Sequence, residues 1–276
     1  MTASDTRFGD LGTRSLSAVL LAGLGFLSIW SGGWLLIIFV TLLVAGISYE
    51  IANMSKADSV AALVGLSALA FIMAAILPPV LRLPILVAAG LIAYQMFVQQ
   101  KRLMTGAYLF TMIGAATFLY FADTFGIAWT IWLIALVVAT DVAGYFAGKM
   151  IGGPKFWPAI SPKKTWSGTV AGWGAAALVG VVAIPVLGAG VGLIVLSIML
   201  SFASQLGDIF ESFVKRKTGV KDSSGLIPGH GGVWDRFDGM LAGLSFGLPS
   251  VQRKLGPVRL LVGAQPPWLE WSQFPS

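Results

Sequence analysis

Residues 127–146 of this 276-residue chain read IAWTIWLIALVVATDVAGYF. The run is long and apolar enough to form a membrane-crossing helix, which takes about 20 such residues. Its one charged residue is Asp141, and a carboxylate inside a span is costly unless it faces a polar interior or a partner. The run therefore predicts a membrane-spanning helix in which Asp141 faces a polar interior or a partner.

The composition extends this interpretation to the whole chain. Hydrophobic residues make up 57% and charged residues 11%, against about half and a quarter in soluble domains. The mean hydropathy is +0.85. Because there is no Cys and a single His, disulfides, Cys nucleophiles and thiolate or multi-histidine zinc sites are excluded. Any metal would be held by oxygen ligands.

The apolar runs predict an all-α, polytopic membrane protein with about eight transmembrane helices. The predicted spans are 15–30, 34–49, 59–77, 83–97, 104–121, 127–146, 169–187 and 193–210. The first, second and fourth are short for a full crossing. A short or truncated ninth helix follows, because too few apolar residues lie between Arg236 and Pro249 for another span.

Three regions follow from these runs. Residues 1–140 are N-terminal transmembrane helices, 141–248 a transmembrane region whose loops carry polar motifs, and 249–276 an atypical polar C-terminal tail. The tail carries three cations that fit no loop between spans, which are Arg253, Lys254 and Arg259.

The cations predict the orientation, since Lys and Arg concentrate in cytoplasmic loops. With the N-terminus inside, Arg82 alone falls in an outer loop. The inner segments hold Arg7, Arg14, Lys56, Lys101, Arg102, Lys149, Lys155, Lys163, Lys164, Lys215, Arg216, Lys217, Lys221 and Arg236. The net charge of +6 thus indicates a membrane rather than a nucleic-acid partner.

The polar residues concentrate in two inner segments. The first runs from Asp141 through Ser161-Pro-Lys-Lys-Thr165. Gly144 and Gly148, like Gly168 and Gly172, are four residues apart, which favours close helix packing. In the second segment polar side chains recur every three or four residues and so share a helix face. They are Ser204, Asp208, Glu211, Ser212 and Lys215, and beyond them lie Asp235 and Asp238.

The glycine-rich turn Pro228-Gly-His-Gly-Gly232 would let backbone N–H groups approach an anion. Cations beside a membrane usually set topology and contact lipid head groups, and a single loop His usually forms an ordinary hydrogen bond. Neither role explains why five acids lie near basic residues at helix ends. Carboxylates with neighbouring cations are what a magnesium–nucleotide site requires.

The pattern resembles the phosphatidate cytidylyltransferase (CDP-diacylglycerol synthase) family. The resemblance covers about residues 141–240. It rests on Ser212-x-x-Lys-Arg216, Lys221-Asp222, Pro228-Gly-His-Gly-Gly232 and Asp235-Arg-x-Asp238, and on the motifs at 141–148, 161–165 and 204–212.

The resemblance implies that CTP and phosphatidate react to give CDP-diacylglycerol and pyrophosphate with Mg²⁺, a second metal or monovalent cation being left open. The implied metal ligands are Asp208, Asp235, Asp238, Glu211 and Asp141. The implied catalytic residues are Asp208, Asp235, Lys215, Arg236 and His230. The implied substrate contacts are Lys163, Lys164, Arg216, Lys221, Ser161 and Thr165.

The family also implies a homodimer in the inner membrane of a bacterium, with the active-site loops in the cytoplasm. Two other functions stay open on the residues alone. A cation-coupled transporter would also place acids such as Asp141 and Asp208 within spans. Another CTP-dependent membrane lipid enzyme, such as a polyprenol kinase, would use a similar set of acids and cations.

Overall fold

The computed structural model describes residues 17, 19–227 and 231–243. The helices are α1 (Val19–Ser31), α2 (Gly33–Ser55), α3 (Val60–Ile76), α4 (Pro79–Met96), α5 (Lys101–Phe125), α6 (Ile127–Met150), α7 (Trp166–Leu187), α8 (Gly192–Lys217) and α9 (234–243). Two strands, β1 (Lys155–Trp157) and β2 (Ser161–Thr165), connect α6 to α7. The predicted polytopic helical fold is confirmed.

Among the described residues, six helices, α2 and α4 to α8, are long and apolar enough to cross a membrane. The apolar runs of the second and fourth predicted spans are short, but their helices extend into the flanking residues, so that α2 has 23 residues and α4 has 18. Both helices continue past their apolar runs into polar residues, α2 through Glu50 and α4 from before Arg82. Polar side chains do not stop a helix where it leaves the bilayer, so hydropathy underestimated its length.

The connection between α6 and α7 contains a short antiparallel hairpin, a small addition to the predicted all-α fold. Lys155 lies opposite Thr165, and Trp157 lies opposite Ser161. The Thr165 hydroxyl then accepts a hydrogen bond from the Gly168 N–H at 3.2 Å and caps α7. The hairpin and cap fix the SPKKT motif directly against the start of α7.

Glycines allow α6 and α7 to pack with their backbones almost in contact, as the four-residue spacing predicted. A Cβ built on Gly168 would lie 2.5 Å from the Gly144 carbonyl oxygen. A Cβ built on Gly172 would lie 3.2 Å from the Thr140 carbonyl oxygen. Small residues permit this approach between membrane helices, where packing rather than water exclusion drives association.

Buried hydrogen bonds join α8 to the α6–α7 pair. Thr140 Oγ1 donates to Ser201 Oγ at 2.8 Å. Gln205 Nε2 donates to the Thr169 carbonyl oxygen at 3.2 Å, and its Oε1 accepts from Trp173 Nε1 at 3.1 Å. These contacts set the rotation of α8, so its polar face turns toward α6 and β2. The 249–276 tail and the end of the ninth helix lie outside the described residues.

We expect the Gly168→Ala variant to lose about 1–3 kcal/mol of stability, since the added methyl group overpacks the α6–α7 contact. Thermal unfolding in detergent measures the loss. Gly174→Ala is the matched control on the same helix, because a Cβ there meets nothing within 4 Å. Equal unfolding temperatures for both variants would contradict the glycine packing.

Candidate active site

Three carboxylates converge where α8 meets α9. Asp208 and Glu211 of α8 and Asp238 of α9 each offer an oxygen, and these oxygens lie within 4.8 Å of one another. Glu211 Oε1 is buried and has no hydrogen-bond partner among the described residues. An orphaned carboxylate oxygen beside two other carboxylates fits the ligand set of a hard divalent cation. We call these three residues the acidic cluster.

Asp141 of α6 borders the acidic cluster. It is close enough to Asp208 and Asp238 for their charges to interact. Its oxygens are not among the three that converge. Close α6–α7 packing brings this side of α6 to α8, so the structure places the acid of the opening sequence run beside the site.

Lys164 of strand β2 closes one side of the acidic cluster. Its Nζ lies 2.6 Å from Asp208 Oδ2 and donates to the Gln205 carbonyl oxygen at 3.0 Å. The hairpin explains this reach, because alternate side chains of a strand point to opposite faces. Lys163 is exposed, and Ser161 is half-buried. Thr165 is 3% exposed and engaged as the α7 cap.

Lys215 links the acidic cluster to Asp235. Its Nζ lies 3.0 Å from Glu211 Oε2 and 2.6 Å from Asp235 Oδ1. These side chains are 12%, 2% and 12% exposed for Lys215, Glu211 and Asp235. Little water screens these charges, so the pairing matters more than that of a surface ion pair.

Asp235 is held differently from the acids of the cluster. Besides Lys215, its Oδ2 accepts from the Gly232 N–H at 2.9 Å and the Ser223 N–H at 3.2 Å. Burial by itself would raise the pKa of the Asp235 carboxyl, but the hydrogen bonds from Lys215 and the Gly232 N–H and the charge of Lys215 hold that pKa well below its usual value. Asp235 is therefore a charged anchor for the loop that precedes α9. It does not share the oxygen cluster expected of a metal ligand.

The other expected phosphate-binding cations lie around the site. Arg216, Lys221 and Arg236 are exposed on α8, on the connecting loop and on α9. These positions place positive charge on the segments of the chain that carry Lys215 and Asp235. His230 lies outside the described residues.

The sequence analysis missed Glu50 of α2. Its carboxylate is 0% exposed and accepts hydrogen bonds from the start of α9 and from Ser224. One signal was available: Glu50 is one of only 12 acids and directly follows the predicted second span. Residue spacing along the chain cannot reveal a partner about 180 residues away, so Glu50 was interpreted as the polar end of a helix.

Fold and site together define a polytopic membrane protein with paired carboxylates and lysines at one end of its helices. The sequence profile of the cytidylyltransferase family matches residues 12–248. Since the match covers most of the chain, the chain belongs to the cytidylyltransferase family.

Bacterial relatives support the assignment. A Brucella suis (biovar 1, strain 1330) protein named phosphatidate cytidylyltransferase is 48% identical over 122 residues, which is 44% of this chain and 45% of that protein. The chain thus spans about half the length of this curated relative. Proteins of the same name from Helicobacter pylori (strain ATCC 700392 / 26695) and Staphylococcus aureus (strain COL) are also similar. Their identities are 38% over 168 residues (57% and 59% of the two chains) and 32% over 247 residues (83% and 94%).

We expect Lys215→Met to destabilise the protein by about 3 kcal/mol, because two nearly buried carboxylates would lose their shared cation. Thermal unfolding in detergent checks this. Lys217→Met removes the same charge from an exposed position two residues on and should have little effect. A similar small shift for both variants would show that Lys215 does not hold these acids.

Proposed function

We propose that this chain is a phosphatidate cytidylyltransferase, which converts CTP and phosphatidate to CDP-diacylglycerol and pyrophosphate. The observation that carries the proposal is the acidic cluster with Lys164 and Lys215 against it, 2.6 and 3.0 Å from Asp208 and Glu211. Family membership and the names of the bacterial relatives support the substrates.

The proposed reaction is an in-line displacement at phosphorus. A phosphate oxygen of phosphatidate forms a bond to the α-phosphorus of CTP, and the bond from that phosphorus to the bridging oxygen of the β-phosphate breaks. Pyrophosphate leaves with the bond's electron pair. The attacking oxygen is already anionic near neutral pH, so no side chain need remove a proton. The protein must position two anions and offset their repulsion.

The acidic cluster fits a resident Mg²⁺, with Asp208, Glu211 and Asp238 as ligands and Asp141 nearby. Such an ion would neutralise phosphate charge and orient the triphosphate. Asp235 takes a positioning role rather than that of a ligand, since Lys215 and two N–H groups already engage it. A second metal or a monovalent cation is left open.

The basic side chains then divide the phosphate-binding work. Lys164 and Lys215 place ammonium groups at the acidic cluster, where they can offset charge on the reacting phosphates. The exposed Arg216, Lys221 and Arg236 suit the β- and γ-phosphates that leave as pyrophosphate. Exposed Lys163 suits the phosphatidate head group at the membrane surface. Thr165 is left out of the proposed contacts because it caps α7.

A direct assay tests the proposal. Purified protein with labelled CTP, phosphatidate and Mg²⁺ should release pyrophosphate and form a CDP-lipid, and chelation of Mg²⁺ should stop turnover. Asp208→Asn and Asp238→Asn should each lower kcat by at least about a hundredfold, since each removes a proposed ligand charge. Asp58→Asn, at an exposed acid away from the site, is the control. Absence of CDP-lipid from folded wild-type protein would refute the function.

We further propose a bacterial plasma membrane location with the N-terminus and active site in the cytoplasm. Fourteen of the 18 cations lie in the segments this places inside. The homodimer stays a prediction from the family resemblance.

Cysteine labelling tests the orientation, because the chain has no native Cys. A membrane-impermeant maleimide on intact bacterial cells should label Val191→Cys, in the α7–α8 connection and 78% exposed. It should label Gln99→Cys, exposed between α4 and α5, only after the cells are permeabilised. The reverse pattern would mean that the active site faces outward.

A further inference from the structure

The Glu50 carboxylate ties α2 to the segment that leads into α9. Glu50 Oε1 accepts from Ser224 Oγ at 2.6 Å and from the Val233 N–H at 2.7 Å. Its Oε2 accepts from the Trp234 N–H at 2.9 Å. One side chain thus satisfies three donors on both sides of the α8–α9 loop.

The Glu50 side chain lies in a closed environment. Its side chain is 0% exposed, as is that of Trp234. The ion pairs of Lys164 and Lys215 are with acids other than Glu50. The charge is stabilised by hydrogen bonds and by the positive N-terminal end of the α9 dipole. Burying a carboxylate costs free energy unless hydrogen bonds compensate for it. Its presence here indicates that the positions of its hydrogen-bond partners matter.

The backbone that Glu50 holds leads directly to the acids of the site. Trp234 precedes Asp235 by one residue and Asp238 by four. The Gly232 backbone packs directly against the Glu50 carboxylate, since a Cβ built on Gly232 would lie 2.6 Å from Glu50 Oε1. The Gly232 N–H in turn donates to Asp235 at 2.9 Å. Glu50 and Asp235 therefore accept hydrogen bonds from consecutive backbone N–H groups of the same turn, residues 232–234.

We propose that Glu50 is a positioning residue of the active site, which fixes the start of α9 and so the place of Asp238 in the acidic cluster. Its catalytic consequence rests on the proposed function. The hydrogen-bond partners given for Glu50 are Ser224, Val233 and Trp234 rather than the acids of the site. Glu50 acts through the α9 backbone, and it also fixes the position of Ser224.

Glu50→Gln is the test variant, since it keeps the shape of the side chain. The glutamine amide keeps one acceptor oxygen and turns an NH₂ group toward an N–H donor. We expect kcat to fall about tenfold, the cost of a lost charge-assisted hydrogen bond. The half-activating Mg²⁺ concentration should rise about tenfold, because a support of a proposed ligand is lost.

Limited trypsin digestion supplies a readout that needs no activity. Lys217 ends α8 and Lys221 lies in the loop shortly before Ser224, and both are exposed. Loss of the Glu50 contact with Ser224 should therefore speed cleavage at these lysines about fivefold, as the population open to the protease grows. Ser224→Ala, which removes one of the three donors, should give a smaller increase. Asp58→Asn makes the matching charge change at an exposed acid and should behave as wild type.

Faster loop cleavage in Glu50→Gln with an unchanged digestion pattern elsewhere supports the proposal, and lower kcat with a raised Mg²⁺ requirement supports its catalytic part. Wild-type cleavage rate and wild-type kcat in Glu50→Gln would overturn it. If Glu50→Gln does not fold, the trypsin rate of Ser224→Ala decides. If folded wild-type protein makes no CDP-lipid, the proposed function fails while the trypsin comparison still tests the Glu50 contact.

Discussion

The site depends on giving polar partners to acidic side chains that are buried at the ends of apolar helices. A carboxylate removed from water must find cations or N–H donors nearby. Lys164 supplies this for Asp208, and Lys215 for Glu211 and Asp235. The Lys164–Asp208 pair joins β2 to α8, and the Lys215–Asp235 pair joins α8 to α9. The electrostatic pairs are therefore also the contacts that hold β2, α8 and α9 together at this end of the bundle.

The glycine contact between α6 and α7 connects the packing to this chemistry. It lets the two backbones approach until Gly168 lies against the Gly144 carbonyl. The short hairpin between these helices then projects Lys164 onto Asp208. A wider separation would carry β2 away from α8, so residues without a side chain determine where an ammonium group lies.

The sequence predicted the features that depend on local chemistry. Hydropathy gave the helical, polytopic fold, and three- and four-residue spacing placed Asp208, Glu211 and Lys215 on one face of α8, where the structure has them. It did not predict the β1–β2 hairpin, because three and five residues carry little periodicity. It could not separate Asp235 from Asp238, since only the fold of the α8–α9 loop turns the first toward Lys215 and N–H groups. Glu50 depends on a distant partner that no local pattern encodes.

The distance along the chain between Glu50 and its partners has a consequence for biosynthesis. Ser224, Val233 and Trp234 follow it by 174, 183 and 184 residues. At about 5–20 residues per second, a ribosome makes them about 10–40 s after Glu50. During that interval α2 must carry an acid without its final hydrogen bonds, near the end of the helix where water can still reach it. The position of Glu50 close to the boundary of its helix thus suits a membrane protein whose first half is inserted before its last helix exists.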